Sequence, residues 1–464
     1  MEHRLVALVA SGMEAVAERE ISQRFSLPPG AVEHIATPPP AAHWVPELAG
    51  SSVFPGAAAV AKLAFTVSGF ERGSALREQL ARLKSPQCVM ALVGAYSGVP
   101  FDEGECREWV AHTLGRAAGW AAALRTWRFA RREAPQTPTF RVSAVRDGRH
   151  SFHAPLVAAE VAGAVHTLQQ ASPHLFSSPP PLASPPPPLE GRMTGFDLEV
   201  VALVLQQELV VALSLSANPR GFRSCQLPLE PHPLLRHHDI SARVRCSTAW
   251  CMLDLAGARP GDVVCDPMCG VGTIPLEAAA TIPSILAVGG DLDPHVVRQA
   301  RANGLLWTAA SAAAASRHLP HLSLEEGEGA APSWHYEERR YPPLPFSCVQ
   351  TLAWDATCLP LRTSCVDVIV VDLPFGMAHK AGTKGSKPHV LYSLVLLEAA
   401  RVLRPLGCCV MLTPSRGAIE KCLRQQAAYW VVAHTLPVNV GGTVAHVFVW
   451  KRTETAVALA RADS

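Results

Sequence analysis

Thirteen cysteines are present without a single C-x-x-C pair, and no apolar run reaches the ~18 residues needed to cross a bilayer as a helix. The first absence argues against a zinc site, so no metal is expected. Cys265, Cys269, Cys408 and Cys409 sit in or beside apolar runs and read as small buried hydrophobes. Charge of one sign is also missing: the formal net charge is +2 and only 17% of residues are charged. Any nucleic-acid partner must therefore be sought in local patches rather than in the total. Met1 to Ala10 has no apolar core with a cleavage pattern, so no signal peptide is expected. A reducing intracellular location follows, the cytoplasm first and the nucleus as the alternative. Two nucleotide signatures are absent as well, the dinucleotide fingerprint G-x-G-x-x-G and the phosphate loop G-x-x-x-x-G-K-[ST].

What the chain does have is a glycine turn of another kind. Val263-Val264-Cys265 runs into Asp266-Pro267-Met268-Cys269-Gly270-Val271-Gly272-Thr273 and then into the helical pattern of Ile274 to Ala279. A buried strand, a glycine turn and a helix open an α/β sheet, and ligands sit at the carboxyl ends of such strands. Gly270 and Gly272 let backbone approach a ligand, and the helix N-terminus offers unpaired N–H groups. The turn starts with an acid and carries no lysine. That suits a cationic, phosphate-free ligand such as S-adenosylmethionine, with Asp266, Pro267, Met268, Gly270, Gly272 and Thr273 as its cradle.

Three further strands extend the pattern. Ile285 to Gly290 ends at Asp291, which is placed to accept the ribose hydroxyls. A helix from Pro294 to Asn303 follows. Val349 to Trp354 ends at Asp355, a candidate acceptor for an adenine amine, and Val366 to Val371 ends in Asp372-Leu373-Pro374-Phe375. The fold class expected is α/β, a class I (Rossmann-like) methyltransferase domain. In the last tetrapeptide, Asp372 and a backbone carbonyl near Leu373 or Pro374 would hold the two N–H bonds of an exocyclic amine. Phe375 would stack on the base, so Asp372, Pro374 and Phe375 are the catalytic candidates.

The N-terminal half reads as α+β. Leu5 to Val9 is a strand, Met13 to Phe25 an amphipathic helix with Glu14, Glu18 and Glu20 on its polar side, Ala57 to Phe65 and Ser74 to Leu83 are helical, and Val89 to Val93 is a strand. From residue 125 to 149 the chain is strongly basic, with Arg125, Arg128, Arg131, Arg132, Arg141, Arg146 and Arg149 interleaved with Trp127, Phe129 and Phe140. Guanidiniums for phosphates and aromatics for stacking or packing suit RNA; a charged loop over core aromatics is the plainer reading. Ser177 to Pro188 is a proline tract expected to be an extended linker, and Ser311 to Ser347 an insertion. After Phe375, Lys380, Lys384 and Lys387 lie in a glycine-containing loop suited to gripping phosphate beside an extruded base.

Asp266 to Ala279, Leu359 to Thr363, Val366 to Gly376, Val438 to Gly442, Met193 to Val200 and Arg245 to Leu253 resemble the THUMP-domain RNA guanine-N2-methyltransferases. The resemblance implies a ferredoxin-like module (1–120), a THUMP domain (121–217) holding the proline-rich linker (177–188), a connector (218–241), a methyltransferase domain (242–455) and a tail (456–464). It further implies transfer of a methyl group from S-adenosylmethionine to guanine N2 of tRNA, in the acceptor stem around nucleotide 6. A small zinc-binding activator subunit is the partner it implies, in a heterodimer. The readings left open are an adenine-N6 or other amino methyltransferase acting on another RNA, such as snRNA or rRNA, and a non-catalytic RNA-binding subunit.

Overall fold

A computed structural model describes residues 1–35, 60–115, 117–131, 138–176, 189–215, 244–316, 347–374, 388–440 and 443–455. The chain divides into two compact units, Met1–His232 with Val438–Val444, and Pro233–Pro437 with Ala445–Ser464. Among the described residues, no helix is long and apolar enough to cross a membrane.

The first unit is built on β1 (His3–Ala10), α1 (Glu14–Phe25), β2 (Glu33–His34), β3 (Val60–Val67), α2 (Gly73–Ala81), β4 (Cys88–Ser97), α3 (Glu103–Leu114), α4 (Ala117–Ala130), β5 (Phe140–Asp147), α5 (Ala154–Ala171), β6 (Leu198–Leu205) and β7 (Glu208–Ser214). Its strands form one sheet in the order β2-β3-β1-β4-β7-β6-β5. The ferredoxin-like and THUMP portions expected from the sequence are joined in it where β4 pairs antiparallel with β7. Residue 120, the border drawn between them, lies inside α4 rather than between elements. One face of the sheet carries a continuous core of Val6, Leu8, Ala64, Met90, Val201, Leu203 and Val210.

Two expectations are corrected here. Ala57 to Phe65 is not helical: its described part belongs to β3, antiparallel to β1, and Ala61 through Phe65 are all buried, including Lys62. A strand covered on both faces loses the alternation that would have marked it. Glu20 is not on a polar face either. It is buried, and its carboxylate accepts the Lys84 N–H, the Ser85 N–H and the Ser85 hydroxyl. Three donors are what make a buried carboxyl tolerable.

The second unit contains α6 (Cys246–Ala256), β8 (Val263–Asp266), α7 (Thr273–Thr281), β9 (Leu286–Asp291), α8 (Pro294–Ser316), β10 (Cys348–Ala353), β11 (Val366–Asp372), α9 (Pro388–Val402), β12 (Leu403–Thr413), α10 (Arg416–Gln425), β13 (Trp430–Val440) and β14 (Thr443–Arg452). The sheet order is β10-β9-β8-β11-β12-β14-β13. The strands from β10 to β12 run parallel and β14 is antiparallel to β12. From β8 the chain moves outward through β9 to β10, then returns to the other side of β8 as β11. That reversal is the topological switch point, the place where open sheets of this kind hold ligands. Near-continuous runs such as Val-Asp-Val-Ile-Val-Val in β11 are what a strand buried on both faces requires.

The connector, the proline tract, Phe375, Arg132, Lys380, Lys384, Lys387, most of the 311–347 insertion and the tail lie outside the described residues.

Candidate active site

Each of the four strands on the β10 side of the sheet ends at or just before an acid: Asp355 after β10, Asp291 ending β9, Asp266 ending β8 and Asp372 ending β11. Asp266 and Asp372 flank the switch point. Asp266 is buried and accepts the Met268 N–H at 3.1 Å. Its carboxyl is pushed well above the usual range, first by burial and then by the like charges of Asp372 and Asp291. Asp266 thus lies within electrostatic reach of two other acids, and a cation bound there would favour its charged form.

Asp372 is the sharpest feature. Part of the residue reaches solvent, but Oδ1 is sealed from it and has no hydrogen-bond donor. Burial raises its pKa from 3.8 to about 7. An acceptor that is desolvated and unpaired is poised for a donor from outside the protein.

The glycine loop is held by bonds from several elements. Gly270 donates its N–H to Asp291 Oδ2 at 3.1 Å, Cys269 donates to the Gly290 carbonyl at 2.8 Å, and Asn303 Nδ2 of α8 donates to the Val271 carbonyl at 3.1 Å. Gly270 and Gly272 have φ of 53° and 90°, the left-handed region where a side chain is strained. A Cβ on Gly270 would meet nothing within 4 Å, so space lies beside it. Gly272 caps α7, of which Thr273 is the first residue, buried at the helix N-terminus. Met268 is half-buried and packs against the apolar core of the sheet.

Trp354 ties this loop to the neighbouring strand. It is buried, its indole Nε1 donates to the Pro267 carbonyl at 2.9 Å, and its ring lies over Gly290, where an added Cβ would approach ring atoms to 2.1 Å. Asp355, next in sequence, is exposed, and its Oδ1 accepts from both the N–H and the hydroxyl of Thr357. One oxygen of Asp355 is thus spent on a turn and the other is left for a ligand. Both oxygens of Asp291 accept from the backbone, Oδ1 from the Asp293 N–H and Oδ2 from the Gly270 N–H.

The residues present fit an S-adenosylmethionine-sized cation: a bare glycine turn, a sugar-height acid, and acidic strand ends with an unpaired Asp372 oxygen. Sequence reading missed the residues that hold these parts. Trp354, Asn303 and Tyr392 act across 87, 32 and 18 positions respectively, with Tyr392 donating to the Pro374 carbonyl at 2.7 Å. Glu398 and Arg401 of α9 were missed too. They form an ion pair that also binds the Leu359 N–H and the Leu359 and Leu361 carbonyls, fastening the segment that leads into β11.

Of the basic residues picked out in the first unit, Arg125 and Arg149 are exposed. Arg131 lies over the Trp127 ring and donates to the Asp197 carbonyl. Arg141 donates to the Met193 carbonyl and lies 5.6 Å from the Phe196 ring centroid, and Arg146 donates to the Gly148 carbonyl. Arg128 is half-buried in α4, with Nε and one terminal nitrogen unpaired. The interleaved aromatics are not a stacking platform. Trp127 and Phe140 are buried, Phe140 meets His166 edge-on, and Phe129 stacks on His3. Trp127 of α4 and Phe140 of β5 are core residues, and Phe129 is half-buried.

Residues 233–317 and 346–446 match the UPF0020 family, described as RMKL-like, methyltransferase domain. Among curated proteins, the human tRNA (guanine(6)-N(2))-methyltransferase THUMP3 is 32% identical over 324 residues, 69% of this chain and 53% of its own length. The tRNA (guanine(6)-N2)-methyltransferase of Thermus thermophilus is 28% identical over 321 residues, 68% of this chain and 72% of its own. The chain spans about half the length of the mammalian relatives it matches. Among solved structures, TrmN from Thermus thermophilus superposes with a TM-score of 0.60 over 97% of this chain and all of that one, at 22% identity, a likeness of fold.

Proposed function

We propose that this chain, whose residues 233–317 and 346–446 match the UPF0020 family of RMKL-like methyltransferase domains, is the catalytic subunit of a tRNA (guanine-N2)-methyltransferase. It uses S-adenosylmethionine to form N2-methylguanosine in the acceptor stem, around position 6. Its partner is a small zinc-binding activator subunit, in a heterodimer. The observation that carries the reading is the unpaired, desolvated Oδ1 of Asp372 at the switch point, beside a glycine turn already held in shape.

When bound, S-adenosylmethionine supplies a methyl group on a sulfonium that is a good leaving group. The protein's own work is orientation. Asp291 accepts the ribose hydroxyls and the free oxygen of Asp355 accepts the adenine amine. Asp372 and a carbonyl of the Leu373-Pro374 turn accept the two N–H bonds of the guanine amine, which turns its lone pair toward the methyl carbon. Phe375 stacks on the extruded base. Arg125, Arg128, Arg131, Arg132, Arg141, Arg146 and Arg149 of the first unit, and Lys380, Lys384 and Lys387 of the second, are the candidates for contacts with RNA phosphates. The ferredoxin-like, THUMP, connector and methyltransferase divisions drawn from the sequence belong to this proposal, except that the border at residue 120 falls within α4.

The test is methyl transfer from labelled S-adenosylmethionine to tRNA, with and without the activator subunit, followed by nucleoside mass analysis. N2-methylguanosine formed only with the subunit is expected. N6-methyladenosine would move the activity to another amino methyltransferase, and binding without transfer in either preparation would favour a non-catalytic subunit.

The pH dependence follows from Asp372. Below about pH 7 it is the neutral acid and above that it is the carboxylate. Accepting the amine N–H favours the carboxylate, so kcat/KM for the cofactor is expected to fall as pH drops through neutrality and to level off above it. A cation held beside Asp372 would lower this pKa, so the inflection in kcat should lie at lower pH than that in kcat/KM. Profiles without either inflection would contradict the assignment.

A further inference from the structure

The Pro374 carbonyl is held in an unusual way. The last ladder bond at this end of β11 is the Leu373 N–H donating to the Leu412 carbonyl at 2.9 Å. Pro374 has no N–H, so the ladder stops there and the sheet does not fix the next peptide. Its carbonyl instead accepts the hydroxyl of Tyr392, from α9, at 2.7 Å. Tyr392 is 1% exposed, and the same hydroxyl lies 3.2 Å from Oγ1 of Thr413, which is fully buried at the end of β12. A tyrosine has one hydroxyl proton, and a carbonyl can only accept. The direction of the chain is therefore fixed: Thr413 donates to Tyr392, and Tyr392 donates to Pro374. Thr413 Oγ1 in turn accepts the Ser415 N–H at 3.2 Å. Each bond polarises the next.

We propose that Tyr392 is a positioning residue for the reaction. Its hydroxyl holds the Pro374 carbonyl and so fixes the start of the turn that follows Asp372, whose carboxylate and a neighbouring carbonyl hold the amine. This inference rests on the reading of Asp372 given above. A buried tyrosine that merely satisfies its own hydroxyl is the bland alternative, and the two differ in what removal of the hydroxyl does.

The experiment uses the full chain with tRNA, and with the activator subunit wherever turnover requires it. Tyr392→Phe keeps the ring and removes the donor. Its kcat is expected to fall about tenfold, the order expected when a reacting group loses its alignment but not its binding. Affinity for S-adenosylhomocysteine, measured by calorimetry, should stay within about twofold, because the cofactor loop is untouched. Thr413→Val leaves the Tyr392 to Pro374 bond in place and should cost at most about threefold in kcat. Replacing Tyr392 with 4-aminophenylalanine, which keeps an N–H donor at the same point, should restore most of the lost rate. The last arm also serves if Tyr392→Phe does not fold.

A kcat for Tyr392→Phe equal to the parent overturns the proposal, as does a 4-aminophenylalanine protein no faster than the Phe variant. So does a parallel loss of kcat and cofactor affinity in both Tyr392→Phe and Thr413→Val, which marks a packing role. Asp372→Ala, which removes the acceptor, is measured alongside and separates the two levels. If it retains turnover, the reading of the amine clamp fails. If it loses turnover and Tyr392→Phe does not, only the role of Tyr392 fails.

Discussion

Asp372→Ala is expected to lower methyl transfer by about a hundredfold or more, the loss typical of one preorganised acceptor or donor, while Asp372→Asn, whose amide oxygen still accepts, should cost less and make the ligand-free protein more stable above neutral pH. The stability gain has an electrostatic cause. Burial raises the Asp372 pKa from 3.8 to about 7, so the folded state holds the proton more tightly than the unfolded chain does. For an acid shifted upward, the stability contribution is greatest below the unfolded pKa. It is lost as pH rises from 3.8 to about 7, beyond which the buried carboxylate is a constant cost. An uncharged amide of nearly the same shape removes that cost and should stabilise the protein by on the order of 2 kcal/mol, because about 1.4 kcal/mol attends each pKa unit and the amide recovers only part. Thermal melts at low and high pH check this. The variant and the parent should coincide near pH ~4 and diverge above neutrality. An Asn variant as stable as the parent at all pH values would contradict the electrostatic account.

Gly290→Ala is expected to be the most disruptive single-methyl change in the second unit. The added Cβ would lie 2.1 to 2.4 Å from three atoms of the Trp354 ring, a buried and rigid neighbour that cannot yield by a few tenths of an ångström. The ring must move, and its bond to the Pro267 carbonyl goes with it. Overpacking of this kind costs about 1–3 kcal/mol, to which the orphaned indole N–H adds about 1–3 kcal/mol. Cofactor affinity should fall about tenfold or more, since the displaced ring backs the glycine turn. A double-mutant cycle gives the clearest reading. Trp354→Ala alone should also be costly, but Gly290→Ala added to it should cost little, because the clash has gone. Strict additivity of the two changes would show that the ring does not mediate the effect.

Much of this site was legible from the chain. The strand ends were visible because apolar runs stop at acids, and Asp266, Asp291, Asp355 and Asp372 stand where those stops were read. Their sheet order, which brings Asp266 and Asp372 to the switch point, follows from the parallel topology. What could not be read were bonds across long separations. Nothing near Trp354 in sequence says that its indole serves Pro267, and nothing near Tyr392 points to Pro374. A backbone carbonyl carries no sequence signal.

In the first unit the failures had signals that were outweighed. The basic stretch begins inside α4, where Trp120, Leu124 and Trp127 are buried at helical spacing while Arg125 and Arg128 stand beside them. Charge drew attention to a surface and away from the periodicity. In β3, Lys62 and two alanines blurred the strand pattern. At Glu20, a carboxyl satisfied by Lys84 and Ser85 is indistinguishable in sequence from one facing water.

The central claim is that an exocyclic amine, held by Asp372 and its neighbouring carbonyl, is the atom attacked. Inosine differs from guanosine only in lacking that amine. The most direct measurement is methyl transfer to a tRNA transcript carrying inosine in place of the target guanosine, compared with the unmodified transcript at equal occupancy. Loss of transfer with binding retained is the result the account predicts. Transfer to the inosine transcript at the parent rate would mean that another atom is the acceptor, and the clamp built around Asp372 would be wrong.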